Sequence, residues 1–220
     1  MKQPLTLVWY GLARQGTFQN STYVPFTDSV TLATNEGVQL FLTVKPSAYV
    51  YVLHQTTAGE FAVWWPTEAE GFNAYLEAGR VQTLPSRGRV YTMELARGTE
   101  AVYIIAAQKP IGEATKLTRE LQWLFASAQA LAAGVPEKRI KENLPRNLQW
   151  KLDLRNPGLI RVVDHRIPVA TTVQSVGQVH TGEERLITTA EGDTYTVRTE
   201  QLRGNDVVAR VVRIHRTVSR

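Results

Sequence analysis

The residues best equipped for chemistry are four histidines, His54, His165, His180 and His215. A zinc or catalytic pair on one element needs spacing i,i+2 on a strand or i,i+4 on a helix, and none of the four has it. Asp164 and His165 are adjacent, so on a strand their side chains point to opposite faces and cannot pair. Glu183-Glu184 could supply two carboxylates for acid–base work, but the surrounding TGEER reads as a solvated turn. Phosphate loops, dinucleotide fingerprints, nucleophile elbows and H-E-x-x-H are all missing from the sequence, and no cofactor motif takes their place. With no cysteine, disulfides, thiolate metal sites and cysteine nucleophiles are excluded.

Aromatic residues are the next chemical signal. Tyr49, Tyr51, Phe61, Trp64 and Trp65 fall within one short stretch, ending in Trp-Trp-Pro. On paired strands such rings stabilise a sheet by cross-strand packing, so most of them read as core. Trp64 and Trp65 point in opposite directions on a regular strand, which leaves one of them as a candidate contact for a partner. The third signal is charge. Residues 1–137 carry 10 Lys/Arg against 11 Asp/Glu, and residues 138–220 carry 15 against 9. A basic half suits nucleic acid, an anionic surface or an acidic protein, though Arg-rich strands also serve simply to keep edges solvated. In the tail, Arg210 and Arg216 share one strand face and Arg213 takes the other, splitting the positive charge.

Strands must position these residues. Val38, Leu40, Leu42 and Val44 alternate with Gln39 and Thr43, a strand with one wet side that Phe41 interrupts. Residues 48–54 are apolar on both faces, as in a central strand covered on both sides, and with EFAVWW they form a hairpin over 48–65. RVYTMEL and AVYIIAA add two strands. The period then changes: Leu117, Leu121, Leu124, Ala128 and Leu131 predict a long helix over 113–133, ended by Gly134. Pro136 opens a short helix, PEKRIKENL, in which Glu137 and Lys141 stand at i,i+4, and Pro145 closes it. LQWKLDLR alternates cleanly and predicts a strand with Leu148, Trp150, Leu152 and Leu154 inward. LIRVV, a hairpin around Gly192 and the β-branched VVARVVRIHR complete a second β-rich part.

The expected fold is therefore mainly β (α+β): a β-sandwich-like N-terminal unit over 1–134 ending in the long helix, then a short helix and a basic β-rich segment over 135–220. The boundary is soft, and one sandwich with a helical insertion fits the same pattern. There is no run of some 18 apolar residues, so no membrane-spanning helix is expected of this ordinary, soluble composition. The N-terminus does not read as a signal peptide. The cytoplasm suits the chain as written, the periplasm a chain from which a leader was removed.

Four blocks in order carry a resemblance: L-x-x-N-E-G-V-Q-L-F-L in Leu32–Val44, A-Y-V-Y-V-L-x-x-x-x-A-G-E-F-A-V-W-W-P in Ala48–Pro66, L-E-A-G-R-V-Q-T-L-P in Leu76–Pro85, and R-G-T-E-A-V-Y-I-I-A-A-Q-K-P in Arg97–Pro110. Together they resemble the bacterial family called domain of unknown function 4384, over roughly residues 5–133. The chain departs from it at Trp64-Trp65-Pro66, and at Glu36-Gly37 where members often carry Gly-Asp. Residues 146–220 lie outside it. The resemblance implies a β-sandwich-like accessory domain of the sort joined to kinases, caspase-like peptidases and envelope proteins, and it carries over no catalytic residue.

Three readings follow. The leading one is a non-enzymatic interaction module that docks a protein partner or self-assembles, with Trp64, Trp65, Arg210, Arg213 and Arg216 as candidate contacts. The second is binding of nucleic acid or an anionic surface through the basic C-terminal segment. The third is a hydrolase whose site assembles from distant residues.

Overall fold

The computed structural model describes residues 3–17, 20–86, 89–92, 97–111, 120, 123–124, 126–131, 133–149, 151, 159–162, 165–168, 175–189 and 192–217. The strands run β1 (Leu5–Thr17), β2 (Asn20–Phe26), β3 (Val30–Leu32), β4 (Gly37–Lys45), β5 (Ala48–Gln55), β6 (Phe61–Trp65), β7 (Tyr75–Leu76), β8 (Gln82–Leu84), β9 (Tyr91–Thr92) and β10 (Gly98–Ala107). After the helices come β11 (Leu159–Val162), β12 (His165–Pro168), β13 (Ser175–Val176), β14 (Gln178–Thr188), β15 (Thr194–Gly204) and β16 (Val207–Arg216).

Two sheets of seven strands carry the fold, with β11 and β12 as a separate ribbon. The first sheet follows the order β14-β15-β1-β4-β8, and the second β13-β16-β10-β5-β6. Strands from the last third thus enter both sheets: β1 lies between β15 and β4, and β10 lies between β16 and β5.

The alternation read in β4 explains the core. Val38, Leu40, Leu42 and Val44 are all at most 1% exposed and face the second sheet, together with Leu5, Leu7 and Trp9 of β1 and Leu202 of β15. They meet Val50, Val52, Val102, Ile104, Val208 and Val212 from the second sheet. The other side of the second sheet is also covered. Tyr51, Leu53, Tyr103, Ile105 and Val211 pack there with Leu124, Ala128, Ile140, Leu144 and Leu148. A strand buried on both faces is the arrangement that the doubly apolar β5 predicts. The layers are therefore helices, second sheet, first sheet.

Two expected elements change. A long helix over 113–133 is not supported: residues 112–119, 121–122, 125 and 132 lie outside the described residues, and the longest described helix is the seven-residue Glu137–Asn143. Within the expected span, residues 126–131 are helical, with Ala128 buried. The strand expected from Leu148 is also overturned at its start, because Arg146–Gln149 form a helical turn. Pro145 accepts the Leu148 N–H at 2.8 Å, and the Gln149 amide donates to the carbonyls of Lys141 and Leu144, tying the turn to the preceding helix. Trp150, Leu152 and Leu154 lie outside the described residues. The short helix itself forms as expected, with Lys141 and Glu137 in an i,i+4 ion pair. None of the helices among the described residues is long and apolar enough to cross a membrane.

Candidate functional site

Residues opposite one another in a ladder share a face, so register defines the outer side of the first sheet. Tyr10 stands opposite Phe41, Val8 opposite Thr43 and Thr6 opposite Lys45; on the other side of β1, Thr6 faces Arg203 and Val8 faces Gln201. Arg185 and Ile187 of β14 join them through Val197 and Tyr195. This face has no covering layer among the described residues. Its apolar cluster, with Tyr10, Leu12, Tyr23, Val197 and Phe41 among its members, consists only of residues from the sheet's own strands. Tyr10 and Phe41 stack at 4.6 Å with planes 7° apart, and Tyr23 meets Tyr195 edge-on at 6.1 Å. Phe41, the residue that broke the polar side of β4, was the sequence signal for this face.

Beside the stacked rings lies an open groove of about 800 Å³. Thr6, Val8, Thr43 and Gln201 form its floor, Lys45 and Gly79 one end, and Glu183 and Arg185 the other, with Arg203 at its side. The Thr43 hydroxyl is buried there without a hydrogen-bond partner. A β-bulge between Thr181 and Glu184 shapes the far end. Gly182 permits it, since a Cβ there would lie 2.2 Å from Thr199 Oγ1, and that hydroxyl donates to the Glu183 carbonyl at 2.9 Å. TGEER is therefore a strand bulge rather than a turn. Glu183 and Glu184 are both exposed, and Glu184 accepts from Arg198 at 2.7 Å. Burial raises the Tyr10 phenol above its usual 10.0, and the nearby Arg185 charge opposes that rise.

The candidate contacts lie elsewhere. Trp64 and Trp65 are 9% and 6% exposed, and both enter the core between the sheets. Val52 pairs with Trp65 and Leu53 with Val63, so Trp64 is the extra residue of a bulge and the alternation that would have separated the two indoles is lost. Trp64 stacks between Tyr91 at 3.9 Å and His54 at 4.7 Å. Arg210 and Arg216 do share a face, but it is the inner one, and both are buried. Arg210 Nε donates to Glu200 at 2.9 Å, and the same carboxylate oxygen accepts from Trp9 Nε1 at 2.8 Å. Arg213 is half-buried on the opposite face, in a second open groove of about 540 Å³ with Glu100 and His215.

The histidines do not converge. His54 pairs with Glu100 at 2.8 Å, His215 with Thr99 at 3.1 Å, and His180 is exposed on β14. His165 lies on β12, and Asp164 lies outside the described residues. Among the described residues no group of three or more His, Cys, Asp or Glu is placed to hold a metal ion.

The family model described as Domain of unknown function (DUF4384) matches residues 31–110, the span from β3 to the end of β10. That span holds all of β4 and β5, and it excludes β1, β14, β15 and β16. Neither a curated protein nor a solved structure matches the chain.

Proposed function

We propose that this chain is a non-catalytic interaction module and that the outer face of its first sheet, over which no second layer packs among the described residues, docks a protein partner. The observation that carries this reading is the difference between the two sheets. Among the described residues both faces of the second are packed, whereas no second layer lies over the outer face of the first, where a polar groove opens beside the close-packed rings. An antiparallel sheet tolerates a solvated face, but aromatic clusters there mark contact surfaces more often than solvated ones. In further support, the titratable groups inside the fold serve structural pairs, His54 with Glu100 and Glu200 with Trp9 and Arg210. The alternative of anion binding through the C-terminal segment loses Arg210 and Arg216 to the interior; the surface cations gathered at the groove come from both halves of the chain.

The absence of cysteine makes a site-specific test direct. Gln201→Cys places a photoreactive label in the groove, and Glu142→Cys places one on the helix Glu137–Asn143. A defined protein crosslinked at high salt from the first position and not from the second supports docking on this face. Equal crosslinking from both, or none from either, retires it.

A further inference from the structure

Resting on that reading, we propose that the groove on the open face binds an acidic segment of the partner in extended form, its carboxylates held by Arg185, Arg203 and Lys45. These three cations come from three different strands and line one groove, which among the described residues offers a single carboxylate, Glu183. None of the three side chains makes an ion pair or hydrogen bond with a described residue, in contrast to Arg198 and Arg210, which are both paired. Arg203 and Lys45 flank Thr6 on neighbouring strands, which sets them about 10 Å apart at the usual strand spacing. An anion midway between them lies about 5 Å from each, inside the Debye length of about 8 Å at physiological salt, so both attract it.

Shape and chemistry narrow the occupant. Lys45 and Arg203 stand level with Thr6 and Arg185 stands level with Val197, so from Lys45 to Arg185 the groove runs about 20 Å along the strands and about 14 Å across three strand spacings, about 25 Å in all. An extended peptide covers that distance with about seven residues. Guanidinium forks hold carboxylates through paired hydrogen bonds. Thr6 and Gln201 can meet the amides of a peptide main chain, while Val8 gives apolar contact. A nucleic acid would want rings to stack its bases. Among the described residues the groove is lined by no aromatic residue, and the neighbouring Tyr10 and Phe41 are already stacked on each other.

The probe is a fluorescein-labelled peptide of alternating Glu and Thr, about eight residues long, beside its Gln–Thr counterpart and an oligothymidine of similar length, each followed by anisotropy. The Glu peptide binds, and the Gln counterpart binds about tenfold or more weakly because the charge-assisted bonds are gone. The double variant Arg185→Glu, Arg203→Glu also binds about tenfold or more weakly, with its melting temperature kept as evidence of folding. Should it misfold, Arg185→Gln and Arg203→Gln singly replace it. Lys138→Glu, on the exposed side of the helix, leaves binding unchanged. Equal affinity for the Glu and Gln peptides, unchanged binding by the charge variants, tighter binding of oligothymidine, or no binding of the Glu peptide at millimolar concentration each overturns the proposal. If the groove label still crosslinks one defined protein and the Glu peptide does not compete, the acidic occupant is wrong and docking on this face stands. If the face-specific crosslink is absent, docking itself fails.

Discussion

Arg210 and Glu200 meet at 2.9 Å inside the sandwich, with side chains 8% and 11% exposed. The Trp9 indole donates to the same oxygen, and Asp28 reaches Arg210 from the surface at 3.3 Å. A residue that looked in sequence like part of a basic tail thus neutralises a buried carboxylate.

Removing one member of that pair leaves the other buried without its counterion. Arg210→Ala is expected to cost about 3–5 kcal/mol, and Glu200→Ala a similar amount. Replacing both together, as Glu200→Ala with Arg210→Ala, should cost distinctly less than the two single effects added. Urea unfolding of the four proteins in a double-mutant cycle measures this, and additive losses would show that the pair is not coupled.

Trp64→Ala is expected to destabilise by about 3–5 kcal/mol, the usual range for emptying a buried large aromatic site. The loss should be accompanied by greater mobility of Tyr91, whose hydroxyl donates to the Trp64 carbonyl and whose ring stacks on the indole. Thermal unfolding with proton NMR of the aromatic region checks both.

Phe41 and Leu40 are neighbours on opposite faces of β4. Leu40, 1% exposed between the sheets, should cost about 2–5 kcal/mol when changed to alanine. Phe41→Ala should cost less despite its greater size, because its ring is only half covered, and it should impair crosslinking from the groove. Denaturant titration of the two variants ranks them.

Burial raises the Tyr10 pKa above 10.0 in the folded protein, so folding favours the protonated phenol. The contribution is fully present below the unfolded pKa and is lost as pH climbs through the folded value. Stability should therefore fall on the alkaline side, above about pH 10. Arg185→Gln removes the opposing charge, and the ultraviolet phenolate titration of Tyr10 should then move further up.

Gly182→Ala brings a methyl against Thr199 Oγ1, and such overpacking costs about 1–3 kcal/mol. Adding Thr199→Ala should restore only part of the loss, since the Thr199 carbonyl oxygen would still stand 3.1 Å away. Melting temperatures of the single and double variants decide it.

Local patterns in the sequence were good guides wherever a strand kept strict alternation. β4 and the doubly apolar β5 placed their side chains as read, and Pro136 opened the short helix as expected. Trp64 misled because a bulge is one inserted residue, invisible to a period-two pattern. Leu148 misled because a proline and one glutamine amide tie Arg146–Gln149 into a helical turn on the preceding helix. Of the candidate site, Phe41 was legible as an apolar residue on a wet face. The grouping of Lys45, Arg185 and Arg203 was not, because it depends on β1 pairing with β4 and β15 at once, and periodicity says nothing about which strands become neighbours.

The pairing of Trp9 with Glu200 also orders events during synthesis. A ribosome releases β1 first and β15 nearly last, and throughout that interval the Leu5–Trp9 part of one β1 edge has nothing to bind. β10 waits likewise for β16. Such distant partners slow folding and leave sticky edges exposed meanwhile. The stretch from 31 to 110 that matches the family model contains β4, whose partner β1 lies before it, and β10, which waits for β16 after it, and neither of the strands that complete them. Cut out alone, it would present both edges permanently, so the family's signature here is written on the middle of the sandwich while its closure is left to the flanks.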